Sequence, residues 1–342
     1  MRRYLVIILA LCLAGLLLWL LLRHQGGELA DIMRLIPRIR LYLLFLSLLL
    51  QLVFLLDQAV LYRIIYTVLG WPVALGRLYL LTLASTTAGR LVPVGTPAGV
   101  AVFAGEAARD GISPWSSVLN NALFYLFDYL TFFLFLGGGL LYLSTRHQLT
   151  TGQLTTSLVL LALILAAVLL LVLVMFKRDL VRQGAARLLS WTNSLGRKYR
   201  GKDFFATGPI LRGLEEVLEQ LGNLRYRKRD MALVAFWAVM LQVIDLAILY
   251  SLFASLHQPV SPGVLVTGFG LATLFAHITF IPNGMGIYAA SMAWVYTSLG
   301  IPWSVATAVA LLYRAVTFWF PIPIGAVAWH LARRRADHVL EP

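Results

Sequence analysis

Charged residues and cysteine are scarce in this chain of 342 residues. Asp, Glu, Lys and Arg together make up 13% of it. Cys12 is the single cysteine, which excludes an internal disulfide and a multi-thiolate metal site. The HExxH, P-loop and GxSxG motifs of metallopeptidases, nucleotide-binding proteins and serine hydrolases are missing from the sequence. We therefore predict a protein that is not an enzyme and that needs no cofactor and no metal.

The chain is rich in apolar residues, since 60% of its residues are hydrophobic. Several runs of about 20 apolar residues occur, which is the length of a transmembrane helix. The first run, 4–22, is too long for the apolar core of a signal peptide and is expected to be retained. We predict an all-α polytopic membrane protein with six spanning helices plus two re-entrant hairpins. The predicted spans are 4–22, 41–62, 115–143, 157–176, 231–254 and 303–331.

The formal net charge is +13, and its distribution predicts the orientation of the chain rather than nucleic-acid binding. The loop 177–230 holds thirteen Lys and Arg against six Asp and Glu, so it is expected in the cytoplasm. Basic residues next to both ends of the chain, at 2–3 and 333–335, place both termini on the same side. The predicted location is the bacterial inner (cytoplasmic) membrane.

The basic loop also contains a leucine stripe at helical spacing. Its members are Leu211, Leu214, Leu218 and Leu221. This spacing suggests an amphipathic helix over 211–229 that lies on the inner leaflet with its basic end toward the headgroups. A solvated charged loop is the alternative reading.

Two further regions, 71–110 and 263–299, hold apolar segments that are short for a membrane. The segments 78–91, 97–110 and 286–299 would each form a helix of about 21 Å, against a hydrocarbon core of about 30 Å. With the loop and both termini in the cytoplasm, each region must cross the membrane twice or not at all. We predict re-entrant hairpins, with 71–110 entering from the cytoplasm and 263–299 from outside, although 263–281 is long enough to span alone.

An internal repeat accompanies the two hairpins. PWSSVLNNALFY at 114–125 and PWSVATAVALLY at 302–313 share six of twelve residues, and a Pro/Gly-rich turn precedes each. We predict one integral membrane domain, 1–342, built from repeats at 41–143 and 231–331. Their opposite predicted sides make the repeat inverted, as in alternating-access transporters. The alternative is a chance likeness between two apolar helix starts.

Ionisable residues at membrane depth are costly and face protein or water. We expect Arg90 to approach Glu106 or Asp128, and Arg314 to approach Asp245, in a site for an anionic substrate group. Ion pairs that only hold the hairpins in place are the alternative. The turns add helix N-termini that can bind an anion, or glycines that only allow close packing. The residues assigned to the turns and site are Pro93, Gly95, Gly99, Pro282, Asn283, Gly284 and Gly286.

Four stretches resemble a known family. They are AGRLVPVGTPAG at 88–99, FYLFD at 124–128, IPNGMGIYAASMAWVYTSLGIP at 281–302 and AVALLYRAVTFWFPIPIGAVAW at 308–329. The family is the lysylphosphatidylglycerol synthase transmembrane region, a flippase-like group of uncharacterised bacterial inner-membrane proteins. The resemblance implies movement of aminoacylated phosphatidylglycerol between leaflets, with the amino acid attached by a separate soluble domain that this chain is expected to lack. Relatives carry Pro-Gly-Gly-x-Gly and then an acid at the second turn, where this chain has Asn283, Tyr288 and Ala289.

These observations predict a flippase-like lipid transporter that moves or binds an anionic (amino)phospholipid. Its partners would be membrane phospholipids with anionic headgroups, and no nucleic acid. The alternatives are a secondary transporter of a small anion or a lipid-linked sugar intermediate, and a membrane-embedded transferase. The sequence leaves the oligomeric state open, a homo-oligomer included.

Overall fold

The computed structural model describes residues 39–91, 96–145, 178–200, 207–224, 227–278 and 287–339, together with positions 37, 155, 159, 162 and 166. Every element of regular structure in these ranges is helical. Four of the described helices are long and apolar enough to cross a membrane. They are Leu41–Val68, Pro114–Thr145, Lys228–Ser255 and Trp303–His330. The prediction of an all-α membrane protein is confirmed, and four of the six predicted spans coincide with these helices.

The first unit of the fold consists of four helices. A long helix, α1 (Leu41–Val68), is followed by two short ones, α2 (Leu75–Leu91) and α3 (Thr96–Arg109), and then by the long α4 (Pro114–Thr145). The short helices pack against each other. At 1.5 Å per residue they are about 26 and 21 Å long, so neither reaches across a hydrocarbon core of about 30 Å.

Two amphipathic helices follow, α5 (Arg178–Arg200) and α6 (Thr207–Leu224). α6 docks on the start of α4 through the hydroxyl of Ser116, which donates to Glu216 at 3.0 Å and accepts from Gln220 at 2.7 Å. The same hydroxyl accepts from the indole N–H of Trp71 at 3.2 Å. One serine therefore joins the α1–α2 connection, α4 and the basic region between the two units.

A helix is present in the basic region, as the first of the two alternatives predicted. The helix ends at Leu224 rather than at Arg229. Leu218 and Leu221 are buried, and Leu221 belongs to the core of the first unit. The C-terminal half of the leucine stripe of α6 thus packs on the protein, while Leu211 and Leu214 are half-buried.

The second unit repeats the helix order of the first. The long α7 (Lys228–Ser255) precedes the short α8 (Pro262–Ile278) and α9 (Ile287–Ser298), and then α10 (Trp303–Arg314) begins the last long helix. This helix continues through one π-helical turn, Ala315–Trp319, into α11 (Pro321–Val339). The amide of Phe320 donates to the carbonyl of Ala315 at 2.9 Å, which is the i to i+5 bond of a π-turn.

Equivalent helices in the two units end in the same way. In the first unit, Gly70 after α1 and Gly111 after α3 have φ values of 91° and 77°. In the second unit, His257 after α7 and Gly300 after α9 have φ values of 61° and 88°. At each position the left-handed residue and the next one donate to carbonyls three and five residues back, as in a Schellman motif. A proline follows two or three residues later in each case and prevents the helix from continuing.

Each unit packs short helices against the last long helix of the other unit, and the first long helices of the two units pack on each other. α1 packs along α7, its equivalent, and the Arg40 amide at the start of α1 donates to the Ser255 carbonyl at the end of α7. α2 packs on α11 of the second unit, and α8 packs on α4 of the first. Each short-helix pair is therefore held against the last long helix of the other unit.

Glycines allow close packing in both contacts, that of α8 on α4 and that of α2 on α11. A Cβ on Gly139 of α4 would lie 2.7 Å from the Thr267 hydroxyl of α8. A Cβ on Gly325 of α11 would collide with the Thr87 side chain and the Leu83 carbonyl of α2. Small residues at helix contacts are the usual means by which membrane helices approach closely.

The core has two main parts that share α4 and α7. The first half of each helix, with Leu123 and Leu241, packs among α1, α2 and α3. The second half of each, with Leu136 and Leu252, packs among α8, α9 and α10. Apolar side chains also cover the outer surface of the long helices, as expected where lipid is the solvent.

Candidate functional site

A cavity of about 240 Å³ lies between the short helices of the first unit and the long helices behind them. Its wall is mainly polar: two amides, four hydroxyls, one carboxylate and one guanidinium group. The polar side chains are Gln58, Tyr62, Ser85, Thr86, Arg90, Asn121, Tyr125 and Asp128. Because Arg90 and Asp128 line the same cavity, the structure brings together two of the predicted site residues.

Several of these polar groups are already oriented by the protein. The hydroxyl of Tyr62 donates to Asn121 at 3.1 Å, and the ring of Tyr62 stacks on Phe124 with a centroid distance of 4.4 Å. The Oδ1 atom of Asp128 accepts from the Gln242 amide at 2.9 Å. Gln242 of α7 is therefore a hydrogen-bond donor to Asp128, and Arg90 lies in the same cavity.

A second cavity of about 200 Å³ adjoins the first and shares Arg90 with it. It lies between the two units and brings together three of the predicted site residues, Arg90, Asp245 and Arg314. The other lining residues are Gln51, Phe54, Tyr288, Tyr313, Thr317 and Phe318. The wall thus carries two guanidinium groups and one carboxylate.

Aromatic rings hold the two arginines in this cavity. The guanidinium carbon of Arg314 lies 4.6 Å from the ring centroid of Phe318 and 4.9 Å from that of Tyr288. The guanidinium carbon of Arg90 lies 5.8 Å from the same Phe318 ring. All three distances fall in the range of cation–π contacts. One phenylalanine in the π-turn is therefore shared by cations from two different units.

The carboxylate of this cavity is bound by a tyrosine. The Tyr313 hydroxyl donates to Oδ1 of Asp245 at 2.5 Å, and the Tyr313 ring stacks on Tyr288 at 6.0 Å. The hydroxyls of Tyr288 and Thr273 are 3.1 Å apart. Arg314 and Asp245 share the cavity as predicted, and the residue before Arg314 donates a hydrogen bond to the carboxylate.

Glu106 is not among the lining residues of either cavity, and of the two partners expected for Arg90 it is Asp128 that shares a cavity with it. The Glu106 carboxylate forms ion pairs with Arg109 at 2.9 Å and with Arg77 at 3.6 Å, and Arg77 also pairs with Asp110 at 3.0 Å. This cluster joins the start of α2 to the end of α3. The partners of Glu106 thus hold the two short helices together, and its role in substrate binding stays a prediction.

Of the predicted turn residues, Gly99 is the one that the structure describes. It lies in the first turn of α3, lines the first cavity, and a Cβ there would be 2.7 Å from the Ser85 carbonyl of α2. Close packing of α2 and α3 therefore requires glycine at this position. The remaining turn and site residues, Pro93, Gly95, Pro282, Asn283, Gly284 and Gly286, and the predicted spans 4–22 and 157–176, lie outside the described ranges.

Sequence reasoning missed several lining residues. Gln51 is 1% exposed, and its Nε2 has no hydrogen-bond partner among the described residues. Tyr288, which stands where relatives carry an acid, contacts Arg314 through its ring. A glutamine inside a predicted span is the signal that could have identified Gln51, since an amide at membrane depth needs a polar partner.

Comparison with known proteins agrees with this architecture. The family described as the lysylphosphatidylglycerol synthase TM region matches residues 7–325. A UPF0104 membrane protein of Methanocaldococcus jannaschii is 32% identical over 130 residues, which are 37% of this chain and 38% of that protein. A UPF0104 membrane protein of Methanothermobacter thermautotrophicus is 32% identical over 79 residues, 23% of this chain and 24% of the relative. The matched part is thus well under half of each relative. No solved structure matches the chain.

Proposed function

The chain belongs to the family of the lysylphosphatidylglycerol synthase transmembrane region, and from that premise we propose that it binds an anionic phospholipid headgroup and moves it between leaflets. The headgroup enters the cavities between the two units while the acyl chains stay in lipid. We also propose that the protein is located in the bacterial inner membrane.

The observation that carries the proposal is the meeting of Arg90 and Arg314 at Phe318. Two guanidinium groups face one carboxylate, Asp245, in the second cavity, so its lining has an excess of positive charge. Like charges repel strongly where the dielectric constant is low. A phosphate that accepts hydrogen bonds from both arginines relieves this repulsion, and the guanidinium fork suits its geometry.

Gln51 supports an oxygen-rich ligand in the same place. Its side chain lines the second cavity, and its buried Nε2 donors have no hydrogen-bond partner among the described residues. A buried amide without a partner is destabilising by about 1–3 kcal/mol. A phosphate oxygen bound at the arginines would satisfy this donor from the side of α1.

The arrangement of the helices supports an inverted repeat as part of the proposal. The two units have the same helix order and the same type of helix ends. The equivalent helices α1 and α7 run antiparallel, because the start of one contacts the end of the other. A two-fold axis that relates two antiparallel helices is perpendicular to both. Because these helices cross the membrane, the axis lies in the plane of the membrane. With this axis, the short-helix pairs would enter as re-entrant hairpins from opposite sides, and rocking between the units would give each leaflet access to the cavities.

The test is leaflet exchange of fluorescent phospholipids in vesicles reconstituted with the purified protein. We expect exchange of phosphatidylglycerol well above that of protein-free vesicles. Arg314→Gln removes a charge-assisted hydrogen-bond donor and should slow exchange by about tenfold or more. Arg63→Gln is the matched control, because Arg63 is an exposed residue of α1 outside both cavities and its loss should leave the rate unchanged.

Two outcomes would refute this function. One is exchange no faster than in protein-free vesicles across several lipid compositions. The other is uptake of soluble glycerol phosphate without exchange of phospholipid, which would identify a transporter of small anions. If Arg314→Gln and Arg63→Gln change the exchange rate equally, Arg314 is not part of the binding site.

A further inference from the structure

We infer that the first cavity binds an uncharged, hydroxylated group, so that the preferred ligand is a phospholipid whose phosphate carries a polyol such as a sugar or inositol. The inference rests on the proposed function, because it assigns the phosphate to Arg90 and Arg314. It adds a second subsite and a chemical class for the part of the headgroup beyond the phosphate.

The two cavities differ in chemistry although they share Arg90. The second one has two arginines and one aspartate, whereas the first has one arginine and one aspartate, Asp128, amid amides and hydroxyls. Because Arg90 is assigned to the phosphate, Asp128 is the charged group left to the first lining, and Gln242 already donates to its carboxylate. The rest of this wall offers neutral donors and acceptors, which suits a ligand that is polar and uncharged.

Part of that hydrogen-bonding capacity is open to a ligand. Tyr62, Asn121 and Ser85 bond within the protein and are thereby fixed in orientation. The side chains of Gln58 and Thr86 line the cavity from α1 and α2 and make no hydrogen bond within the described part of the chain. An amide and a hydroxyl on two sides of the cavity can each donate and accept, which is the pattern a row of hydroxyls requires.

The shape of the cavity agrees with a single small group. Its volume of about 240 Å³ is less than the roughly 300 Å³ at which pockets for drug-sized ligands begin. Phe124 and Tyr62, which stack on each other with a centroid distance of 4.4 Å, make one side of the lining apolar. Arg90 stands between this cavity and the second one, so a phosphate bound there would place its substituent directly in the first cavity.

The test measures binding and exchange separately with lipids that share the same acyl chains. The headgroups are phosphatidic acid, phosphatidylglycerol, phosphatidylinositol and phosphatidylserine. Binding of the short-chain forms to the full chain in detergent is measured by calorimetry, and exchange is measured in vesicles. We expect phosphatidylinositol to bind several-fold more tightly than phosphatidic acid, with phosphatidylglycerol between them.

Two near-isosteric variants locate the subsite. Gln58→Met and Thr86→Val should each weaken phosphatidylinositol binding by about three- to tenfold, and should leave phosphatidic acid binding within about twofold, since each removes hydrogen bonds to hydroxyls alone. Thr82→Val is the matched control, because Thr82 is buried on α2 and is not among the lining residues. Unchanged thermal unfolding of each variant confirms that it is folded.

The outcomes separate the inference from the function on which it rests. Tighter binding of phosphatidylinositol that Gln58→Met or Thr86→Val abolishes supports the subsite, even if no lipid is exchanged and the transport proposal fails. Equal binding of phosphatidic acid and phosphatidylinositol overturns the subsite, whether or not exchange occurs. Preference for phosphatidylserine also overturns it, because that result would assign the first cavity to an ammonium group beside Asp128.

Discussion

Tyr313 donates a hydrogen bond of 2.5 Å to Asp245, and this contact joins the last long helix to α7 at the wall of the second cavity. Tyr313 immediately precedes Arg314, so the bond also fixes the turn that presents the arginine. The carboxylate is thereby held by a neutral donor, and both arginines remain at Phe318.

Substitution of Tyr313 by Phe should destabilise the protein. Hydrogen bonds to a charged group contribute about 1.5–3 kcal/mol, although such bonds between membrane helices average nearer 0.6. We expect a loss of about 1 kcal/mol, visible as a lower midpoint of thermal unfolding in detergent. Tyr250→Phe is the control, because Tyr250 is 52% exposed on the same α7. Equal midpoints for the two variants would show that the bond contributes nothing.

Adjacent glycines of α4 test the contact between units. Gly139→Ala would place a methyl group 2.7 Å from the Thr267 hydroxyl and 3.1 Å from its amide, whereas Gly138→Ala meets nothing within 4 Å. We expect Gly139→Ala to destabilise the protein by about 1–3 kcal/mol through overpacking. Gly138→Ala should be neutral or stabilising, since alanine is the better helix former. Unfolding midpoints that do not separate the two variants would contradict the packing of α8 on α4.

The left-handed glycine after α9 provides a third test. Gly300 has open space around its Cα but a φ of 88°, so alanine there is strained without any clash. We expect Gly300→Ala to lose about 1 kcal/mol of stability. Gly105→Ala, in a helix and also in open space, should lose nothing. A Gly300→Ala variant as stable as the Gly105→Ala variant would argue against the Schellman end of α9.

Docking of α6 can be tested by proteolysis. A Cβ on Gly213 would overlap the ring of Trp115, and a Cβ on Gly208 of the same helix would meet nothing within 4 Å. Gly213→Ala should therefore displace α6 from the start of α4 and speed cleavage within 177–230 by trypsin several-fold, since exposed backbone is the preferred site of nicking. Gly208→Ala should leave the cleavage rate as it is. Equal rates would mean that α6 is not held by this contact.

Hydropathy predicted the long helices well, because length and apolar content decide whether a segment can span a membrane. It could not predict which face of α1 is buried. Val53 and Leu56 are exposed while Leu55 and Ala59 are buried, and all four are apolar, since lipid and core favour the same residues. The leucine stripe of α6 is informative for the opposite reason, because its other face is charged.

The charge pairs were harder to predict than the helices. Arg77 and Glu106 meet because α2 and α3 pack antiparallel, and that pairing depends on the rotation of each helix about its axis. Apolar periodicity does not report this rotation when both faces are apolar. The shared cavities of Arg90, Asp128, Asp245 and Arg314 were anticipated, because a charged residue at membrane depth faces protein or water wherever it lies. Phe318 is apolar and gave no such signal, and Gln51 gave only the signal of an amide inside a predicted span.

The π-turn at Ala315–Trp319 fits one more residue into the helix than an α-turn would. Each residue of an α-helix turns the chain by about 100° and advances it by about 1.5 Å. If the same residues wound as an uninterrupted α-helix, the residues after the turn would be rotated by roughly that angle relative to those before it. Deletion of one residue from the turn would remove the π-turn and leave the two halves in nearly the same phase. The extra residue thus sets the rotational phase of α11, which packs on α2, relative to the half of the helix that carries Arg314.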